Sequence, residues 1–413
     1  MNSLASKDHR YLWHPFTQMK DWLAEEPVII ESGDGPVLRD TEGREYLDAN
    51  SSIWTNLHGH RHPRITAAIK EQLDRIAHCS FLGLSNPPAI ELAERLCQLS
   101  GLSRVFYSDD GSTAVEVAIK MAFQYWQHRR RPHRRRFVAF TEAYHGDTLG
   151  AVSVSGIEIF RAPFRPLLFD VLRVSSLEEL PSGEDVAAVI IEPLVQGAAG
   201  MKVWPRGLLR RLREWCDRTG ALLIADEVMT GFGRTGTMFA CQQEDVRPDL
   251  MALGKGLSGG YLPLAATLTT EEIFDAFLGE YGELKTFFHG HSYTGNPLGC
   301  AAALASLRIF EEERTLERLQ PLSKQLAEGL QRCYTLAQVC NVRHCGFIGA
   351  VEVGPYPWTE KMGFRVCAEM RRRGVLTRPI GNAIIIMPPY CVTAAQLDRI
   401  ITVLYEAILA VCR

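Results

Sequence analysis

The sequence predicts an α/β fold, with a large domain on a mostly parallel, doubly wound sheet and a smaller α+β domain. From about residue 60 to 310, helical patterns alternate with short apolar strands, which is typical of a sheet covered by helices. Residues 27–50 alternate apolar and polar positions around turn glycines, which indicates a small antiparallel sheet. A charged helical stretch after residue 311 precedes further strand patterns and a final helix from Thr393.

These patterns divide the chain into three segments. We expect residues 1–50 to form the N-terminal part of the small domain, residues 51–311 the large domain, and residues 312–413 the C-terminal part of the small domain. With 413 residues, 46% apolar, the chain can bury the cores of two domains. The expected strands are Arg104–Tyr107, Arg136–Phe140, Ala187–Ile191, Ala221–Ala225, Phe347–Val353 and Ala383–Met387.

Charge and composition favour a soluble protein that acts on a small molecule. The formal net charge of −3 gives no overall attraction to nucleic acid or anionic membranes. The basic stretch 129–136 has no interleaved aromatic residues, so we expect a solvated loop there. Eleven cysteines without a Cys-x-x-Cys pair, no apolar core in the first ten residues and no apolar run of membrane-spanning length predict a cytoplasmic location.

Lys255 and Asp226 are the strongest candidates for catalysis. Asp226 follows the apolar run Ala221–Ala225, which reads as a buried parallel strand, and Lys255 lies in the run Asp249–Ser258 at a distance that suits the neighbouring strand end. Ligands of open α/β sheets bind at the carboxyl ends of strands. A lysine amine that condenses with an aldehyde, and a carboxylate that keeps a pyridine nitrogen protonated, are what pyridoxal phosphate chemistry requires. Each residue alone also fits a plain cap or a solvated turn.

The segment 108–116 opens a helix directly after a strand. Its free N–H groups and the positive end of the helix dipole suit a phosphate, so Gly111, Ser112 and Thr113 are expected to cradle one. Thr113 and Glu116 also have the spacing of a capping box, and plain capping is the competing interpretation. The dipole contributes only about 0.3 to 1 kcal/mol, so a covalent bond at the lysine must supply much of the binding.

Tyr144 is expected to stack on the pyridine ring and fix its plane. It lies in the run Ala143–Asp147, between the phosphate-binding segment and the lysine. A core tyrosine is the alternative interpretation.

Two other patterns suggest different functions. His58, His60 and His62 alternate, but no suitably spaced cysteine or acidic ligand accompanies them, so no metal site is expected. The run Gly231–Gly236 matches the dinucleotide fingerprint G-x-G-x-x-G and makes a nicotinamide-dependent dehydrogenase the runner-up. However, five residues (226–230) separate the apolar strand from the first glycine, and the segment that follows is a poor helix start.

Six motifs occur in order along nearly the whole chain, and together they are far more specific than any one. They are His14–Met19, Asn50–Trp54, Tyr144–Asp147, Asp226–Gly236, Gly254–Gly256 and His289–Pro297. In these motifs the chain closely resembles the class III aminotransferases of fold type I, and within them the branch that acts in biotin synthesis. The resemblance implies pyridoxal 5′-phosphate as cofactor.

The resemblance also assigns roles to residues. Lys255 would bind the cofactor covalently, Asp226 would face its pyridinium and Tyr144 would stack on it. The residues expected at the cofactor are Gly111, Ser112, Thr113, Tyr144, Asp226, Val228, Lys255 and Ser292. Because Ser292 is implied to reach the phosphate of the neighbouring subunit's cofactor, the active unit would be a homodimer with shared sites. The residues expected at the substrate are Phe16, Ile53, Trp54, Asp147, Arg234, Gly290 and Arg378.

The implied reaction is ping-pong transamination of 8-amino-7-oxononanoate to 7,8-diaminononanoate, with Lys255 as general base and acid. Arg378 would bind the keto-acid carboxylate, and Asp147 would meet a cationic donor. The donor would be S-adenosylmethionine or L-lysine. Phe16 and Ile53 stand where many members that use adenosylmethionine carry Tyr and Trp, and this apolar pair and the segment His289–Thr294 resemble the lysine-using branch of the family. Ornithine, 4-aminobutyrate or β-alanine transamination would share the cofactor residues and is the alternative within the family.

Overall fold

The computed structural model describes residues 3–412 and leaves out Met1, Asn2 and Arg413. Within these residues, no helix is long and apolar enough to cross a membrane. The strands are β1 (Ile30–Asp34), β2 (Val37–Asp40), β3 (Glu45–Asp48), β4 (Arg104–Ser108), β5 (Arg136–Phe140), β6 (Val171–Val174), β7 (Val186–Ile191), β8 (Val195–Gln196), β9 (Lys202–Val203), β10 (Leu222–Asp226), β11 (Leu250–Leu253), β12 (Ala265–Thr269), β13 (Val339–Cys345), β14 (Ile348–Val353), β15 (Val375–Leu376), β16 (Pro379–Ile380) and β17 (Ala383–Ile386).

The α-helices vary from single turns to eighteen residues. They are α1 (Ser3–Tyr11), α2 (Met19–Trp22), α3 (Ser51–Trp54), α4 (Pro63–Arg75), α5 (Pro87–Ser100), α6 (Gly111–His128), α7 (Leu149–Val154), α8 (Glu158–Arg161), α9 (Leu208–Thr219), α10 (Glu271–Asp275), α11 (Pro297–Glu312), α12 (Thr315–Gln331), α13 (Met362–Arg372) and α14 (Ala394–Val411). Short 3₁₀ segments lie at Ala162–Leu167, Leu177–Glu179, Ala240–Glu244, Lys255–Ser258, Tyr281–Glu283, Arg332–Thr335 and Trp358–Glu360.

The largest sheet has seven strands in the order β4-β12-β11-β10-β7-β5-β6. Strands β6, β5, β7, β10 and β11 run parallel to one another, whereas β12 pairs antiparallel with both β11 and β4. The prediction of a mostly parallel sheet is therefore confirmed. The register Asp226↔Ala252 in the β10–β11 pair places the carboxyl ends of these two strands side by side.

Two four-stranded sheets are separate from this large sheet. In the order β1-β2-β3-β15, the N-terminal antiparallel strands are joined by a C-terminal strand, with Val375 opposite Leu47 in β3. The other sheet has the order β13-β14-β17-β16. The pairing of β15 with β3 supports one small domain built from both termini. The three domain boundaries stay a prediction, and residues 1, 2 and 413 lie outside the described part of the chain.

Helix α6 buries an apolar face against the large sheet, but its cap differs from the sequence-based expectation. Asp110 is the N-cap: its side chain accepts a hydrogen bond from Thr113 N, and Thr113 Oγ1 in turn accepts one from Asp110 N. The cap assigned to Thr113 with Glu116 was therefore wrong. The Glu116 carboxylate instead accepts a hydrogen bond from Gly150 N at the start of α7.

The basic stretch between α6 and β5 is not entirely solvated. Arg134 is buried, donates hydrogen bonds to the carbonyls of Val186 and Thr219, and stacks on the Trp126 ring at 4.6 Å. A guanidinium can enter the interior when carbonyl oxygens meet its N–H groups. Arg134 thus ties α6, β7 and α9 together, while Arg129 and Arg136 stay exposed.

Candidate active site

A cavity of about 600 Å³ lies at the carboxyl end of the large sheet. It is lined by residues that follow three neighbouring parallel strands: Glu192 after β7, Asp226 at the end of β10 and Lys255 after β11. Gly111 and Ser112, at the start of α6, form another part of the wall. The position agrees with the general rule that open α/β sheets bind ligands outside the carboxyl ends of their strands.

Lys255 is half-buried, and its side chain lines this cavity. Its Nζ lies 4.6 Å from the centre of the Trp54 ring. Burial lowers the pKa of Lys255 below its ordinary value, although the carboxylates of Asp226 and Glu192 act in the opposite direction. Since only the neutral amine is a nucleophile, the lowered pKa favours the reactive form.

This shift predicts a pH-dependent stability. Between the lowered pKa and 10.5, the unfolded chain binds more protons than the folded chain, so folding becomes more favourable as the pH rises. The cofactor-free Lys255→Met variant should therefore be more stable than cofactor-free wild type at neutral pH, and the difference should shrink towards pH 10. Thermal unfolding of both proteins measures it. A difference that does not change with pH contradicts the expected burial cost.

The Asp226 carboxylate is fixed on both oxygens. His145 Nδ1 lies 2.7 Å from Asp226 Oδ2, and Val228 N donates to Asp226 Oδ1 at 3.1 Å. In this pair the Nδ1–H of His145 donates and the carboxylate accepts. His145 Nε2 is buried with no partner among residues 3–412. His145 lies within the motif Tyr144–Asp147, but no role was predicted for it from the sequence.

Glu192 is a further buried carboxyl group that the sequence-based reasoning missed. Its two oxygens accept hydrogen bonds from Tyr144 N at 3.0 Å and Gly197 N at 2.8 Å. Burial raises the pKa of Glu192 to about 7, while the neighbouring His145 imidazole and the backbone donors oppose the rise. The argument used for Asp226, a polar residue directly after a buried strand, applies equally to Glu192 after β7 and was sufficient to find it.

The start of α6 packs closely against the residues after β10 and β11, because Gly111 and Gly254 carry no side chain. A side-chain carbon on Gly111 would lie 2.5 Å from Val228 Cγ1, and one on Gly254 would lie 3.1 Å from Gly111 Cα. The amides of Gly111 and Ser112 precede the first hydrogen bond of the helix, made by Ala114 N. They are thus at the end of the helix that attracts anions.

The structure places Ser112 and Thr113 differently. Ser112 Oγ lies at the cavity wall, where it accepts a hydrogen bond from Thr148 N at 3.0 Å. Thr113 does not line the cavity, and both its amide and its hydroxyl are used by Asp110. Thr148, at the start of α7, lines the same wall and was not predicted.

Tyr144 and Asp147 share one wall of the cavity. The Tyr144 hydroxyl donates to Asp147 Oδ2 at 2.7 Å. Burial raises the pKa of Tyr144, and this hydrogen bond raises it further, so the hydroxyl stays protonated. An exposed carboxylate beside a neutral hydroxyl suits a cationic group of a ligand.

Trp54 reaches the cavity through a left-handed turn. All four residues of α3, Ser51–Trp54, have φ between 47° and 72°, which costs roughly 1 to 2 kcal/mol per residue in an L-amino-acid chain. Asp48 holds the turn, because its Oδ1 accepts from Asn50 N and Ser52 N. The indole of Trp54 donates to Asn50 Oδ1 at 2.8 Å. Strain of this kind is concentrated at functional sites.

Six other predicted site residues do not line the cavity of the single chain. Phe16, Ile53, Gly290 and Ser292 are exposed. Arg378 donates from Nη2 to the Phe16 carbonyl at 2.7 Å. Arg234 is fully buried and donates to the carbonyls of Pro388 and Asn56, so it braces the segment around the cavity instead of lining it.

Comparison with known proteins identifies the family. The model of the family "Aminotransferase class-III" matches residues 19–408. The chain belongs to the class III aminotransferases. It is 50% identical to the adenosylmethionine-8-amino-7-oxononanoate aminotransferase of Geobacter sulfurreducens, over 98% of this chain and 97% of the relative. It is 48% identical to the enzyme of the same name from Aquifex aeolicus, over 98% of this chain and 97% of that protein.

Solved structures agree with this assignment. The crystal structure of the adenosylmethionine-8-amino-7-oxononanoate aminotransferase from Methanocaldococcus jannaschii matches with a TM-score of 0.97 and 44% identity, covering 99% of both chains. A transaminase from the marine bacterium Virgibacillus matches with a TM-score of 0.93 and 33% identity, also covering 99% of both chains. The chain is therefore a transaminase with the fold of the class III enzymes.

Class III aminotransferases use pyridoxal phosphate, and the residues present fit this cofactor. The cavity combines the amine of Lys255, the carboxylate of Asp226 and the amides at the start of α6. Membership of this family excludes the dehydrogenase alternative. The Gly231–Gly236 segment opens no helix, and its Arg234 side chain is buried.

Proposed function

We propose that this class III aminotransferase converts 8-amino-7-oxononanoate to 7,8-diaminononanoate in biotin biosynthesis. The observation that carries the proposal is the identity of 44–50% to the three enzymes of that name described above, over nearly the full length of each chain. The cavity residues Lys255, Asp226, Tyr144 and Asp147 lie together as transamination of a cationic amine requires.

Pyridoxal phosphate, when bound, supplies an aldehyde for the amine and a protonated ring that withdraws electrons from the substrate carbon. Lys255 Nζ would hold the aldehyde end, and Asp226 would hold the ring nitrogen, with its carboxylate oriented by His145. Gly111 and Ser112 would bind the phosphate through their amides. Tyr144 would stack on the ring.

Lys255 has a second task once the amine donor has entered. Its Nζ would remove a proton from the substrate carbon and return a proton in the reverse half-reaction. A neutral amine is needed for the first of these steps, and the lowered pKa of Lys255 supplies it. Glu192, with a pKa of about 7, lies near enough to influence the charge of the lysine.

We assign substrate recognition to Asp147 and Arg378. The Asp147 carboxylate, bonded to the Tyr144 hydroxyl, would meet a sulfonium or ammonium group of the donor. The guanidinium of Arg378 would bind the carboxylate of the keto acid, for which its planar fork is well suited.

We propose S-adenosylmethionine as the amine donor, because the similar enzymes carry adenosylmethionine in their names. L-Lysine is the second candidate. Phe16 lacks a hydroxyl and Ile53 lacks an aromatic ring, where many members that use adenosylmethionine carry Tyr and Trp, and this apolar pair resembles the lysine-using branch of the family.

A half-reaction distinguishes these donors. The purified, cofactor-loaded protein is mixed separately with S-adenosylmethionine and with L-lysine, and the loss of absorbance of the lysine-bound cofactor is followed. Conversion by S-adenosylmethionine alone is expected, and 8-amino-7-oxononanoate should then restore the absorbance. Conversion by lysine alone would identify the second donor. Conversion by neither would contradict the proposed function and indicate another class III activity.

We also propose a homodimer. The segments 76–84 and 278–293 expose large apolar side chains, and the rings of His78 and Tyr293 join the two segments at 4.8 Å. Contiguous exposed apolar surface is typical of a protein interface. A second copy of the chain would cover it and bring Ser292 to the phosphate end of the neighbouring site. The exposed side chains are Ile76, Leu82, Leu84, Leu278, Tyr281, Leu284, Phe288 and Tyr293.

We also propose that the protein is cytoplasmic and that it does not bind nucleic acid. All eleven cysteines of the chain are free, as is usual in a reducing compartment. The net charge of −3 gives no electrostatic reason for binding nucleic acid.

A further inference from the structure

The N-terminal segment is closed into a clip by one carboxylate. Asp8 in α1 accepts a hydrogen bond from Trp22 Nε1 at 2.7 Å, through Oδ1. Its other oxygen, Oδ2, lies 3.0 Å from His14 Nε2. The His14 ring packs on the Trp22 ring with a centre distance of 4.2 Å. Asp8 therefore joins α1, the connecting loop and α2.

Phe16 forms the tip of this clip. It has φ +49°, a left-handed conformation that a residue other than glycine adopts only when its surroundings impose it. Its ring packs edge-on against Phe160 at 5.2 Å, and Phe160 packs against Tyr144 at 6.1 Å. The tip is thus connected by aromatic contacts to a wall of the cavity.

The backbone of the same tip holds Arg378. The Phe16 carbonyl accepts a hydrogen bond from Arg378 Nη2 at 2.7 Å. A guanidinium has five N–H donors, so this bond leaves donors for a carboxylate and also limits the rotation of the long side chain. The orientation of Arg378 consequently depends on the position of the Phe16 carbonyl, and that position depends on the clip.

We infer that Asp8 is a positioning residue for recognition of the substrate carboxylate. It acts through Phe16 to orient Arg378, and it contacts neither the substrate nor the cofactor. The inference rests on the proposed function, because it takes Arg378 as the group that binds the keto-acid carboxylate. On this inference the motif His14–Met19 helps to orient Arg378 and does not need to contact the reacting atoms.

The test compares Asp8→Ala with wild type on two ketones, 8-amino-7-oxononanoate and its methyl ester. Loss of the clip should raise KM for the acid about tenfold, on the scale of one hydrogen bond to a charged group, with kcat within about twofold. KM for the ester, which has no charge for Arg378, should change less than about twofold. Asp8→Asn, which keeps one oxygen for Trp22, should lie between wild type and Asp8→Ala. Lys7→Ala, an exposed position on the same helix, is the matched control and should match wild type.

Two kinetic outcomes overturn the inference. An unchanged KM for the acid in Asp8→Ala means that Asp8 does not position Arg378. An equal rise for acid and ester means that the substitution damages the site in general.

Limited trypsin digestion tests the clip without using activity. In Asp8→Ala the bonds after Arg10 and Lys20 should be cut about tenfold faster than in wild type, with the rest of the chain intact. Equal cutting rates overturn the inference. If wild type does not turn over 8-amino-7-oxononanoate, the proposed function is wrong, and the digestion still decides whether Asp8 holds the tip.

Discussion

Replacement of Lys255 by alanine should lower turnover by at least about 10⁴-fold. The variant loses both the amine that binds the cofactor aldehyde and the base that moves the proton at the substrate carbon. Among residues 3–412 no other lysine lines the cavity, and the groups that follow the neighbouring parallel strands, Asp226 and Glu192, are carboxyls. The measurement is steady-state transamination of 8-amino-7-oxononanoate by wild type and by Lys255→Ala at equal cofactor loading.

Two controls separate lost chemistry from lost structure. Lys255→Ala should sediment at the same mass as wild type, which we expect to be two chains of 46.2 kDa, so dissociation cannot explain the loss. Added methylamine should restore part of the activity, because a small amine can enter the space left by the side chain. Turnover within tenfold of wild type would mean that Lys255 is not the catalytic amine.

The central features of the site were predictable because they depend on strand ends. A buried apolar run predicts a strand, and neighbouring parallel strands have their carboxyl ends at the same edge of the sheet. The register of β10 and β11 confirms that the predicted strand ends of Asp226 and Lys255 are neighbours. The same argument predicted Gly111 and Ser112 as site residues, because they follow β4 at the start of α6.

Contacts between distant segments were not predictable in this way. Strand β12 contains only one large apolar residue, Leu268, so no apolar run predicted it. It pairs with β4 on one side and with β11 on the other. Arg134 looked solvated because its three carbonyl partners come from Gly183, Val186 and Thr219, far along the chain. Sequence patterns of short range do not contain that information.

The left-handed turn at Ser51–Trp54 illustrates a second limit. Its residues include a β-branched side chain at φ +66° on Ile53, which local preference disfavours. The conformation is held from outside by Asp48 and by the Ser51 hydroxyl, which donates to Met387 O at 2.7 Å. Local rules fail here because tertiary contacts impose the strain, and that failure itself marks the site.

Replacement of Asp226 by asparagine should lower kcat by about 10² to 10³-fold, the usual effect of removing one oriented electrostatic group from an active site. The substitution keeps the volume but removes the negative charge that would hold the pyridine nitrogen in its protonated form. It also turns an amide NH2 towards either His145 Nδ1 or Val228 N, both of which donate to the Asp226 carboxylate. Either orientation of the amide leaves one donor facing another donor, which adds to the loss.

Single-turnover kinetics with the amine donor measures this effect apart from product release. Asp245→Asn is the matched control, because the same change at an exposed carboxylate, 3.3 Å from Arg210, should leave kcat unchanged. A fall of less than tenfold in Asp226→Asn would mean that another group keeps the ring protonated. The buried Glu192, with a pKa of about 7, would then be the group to replace next. The size of the loss therefore decides whether the carboxyl after β10 or the one after β7 carries the charge that the reaction needs.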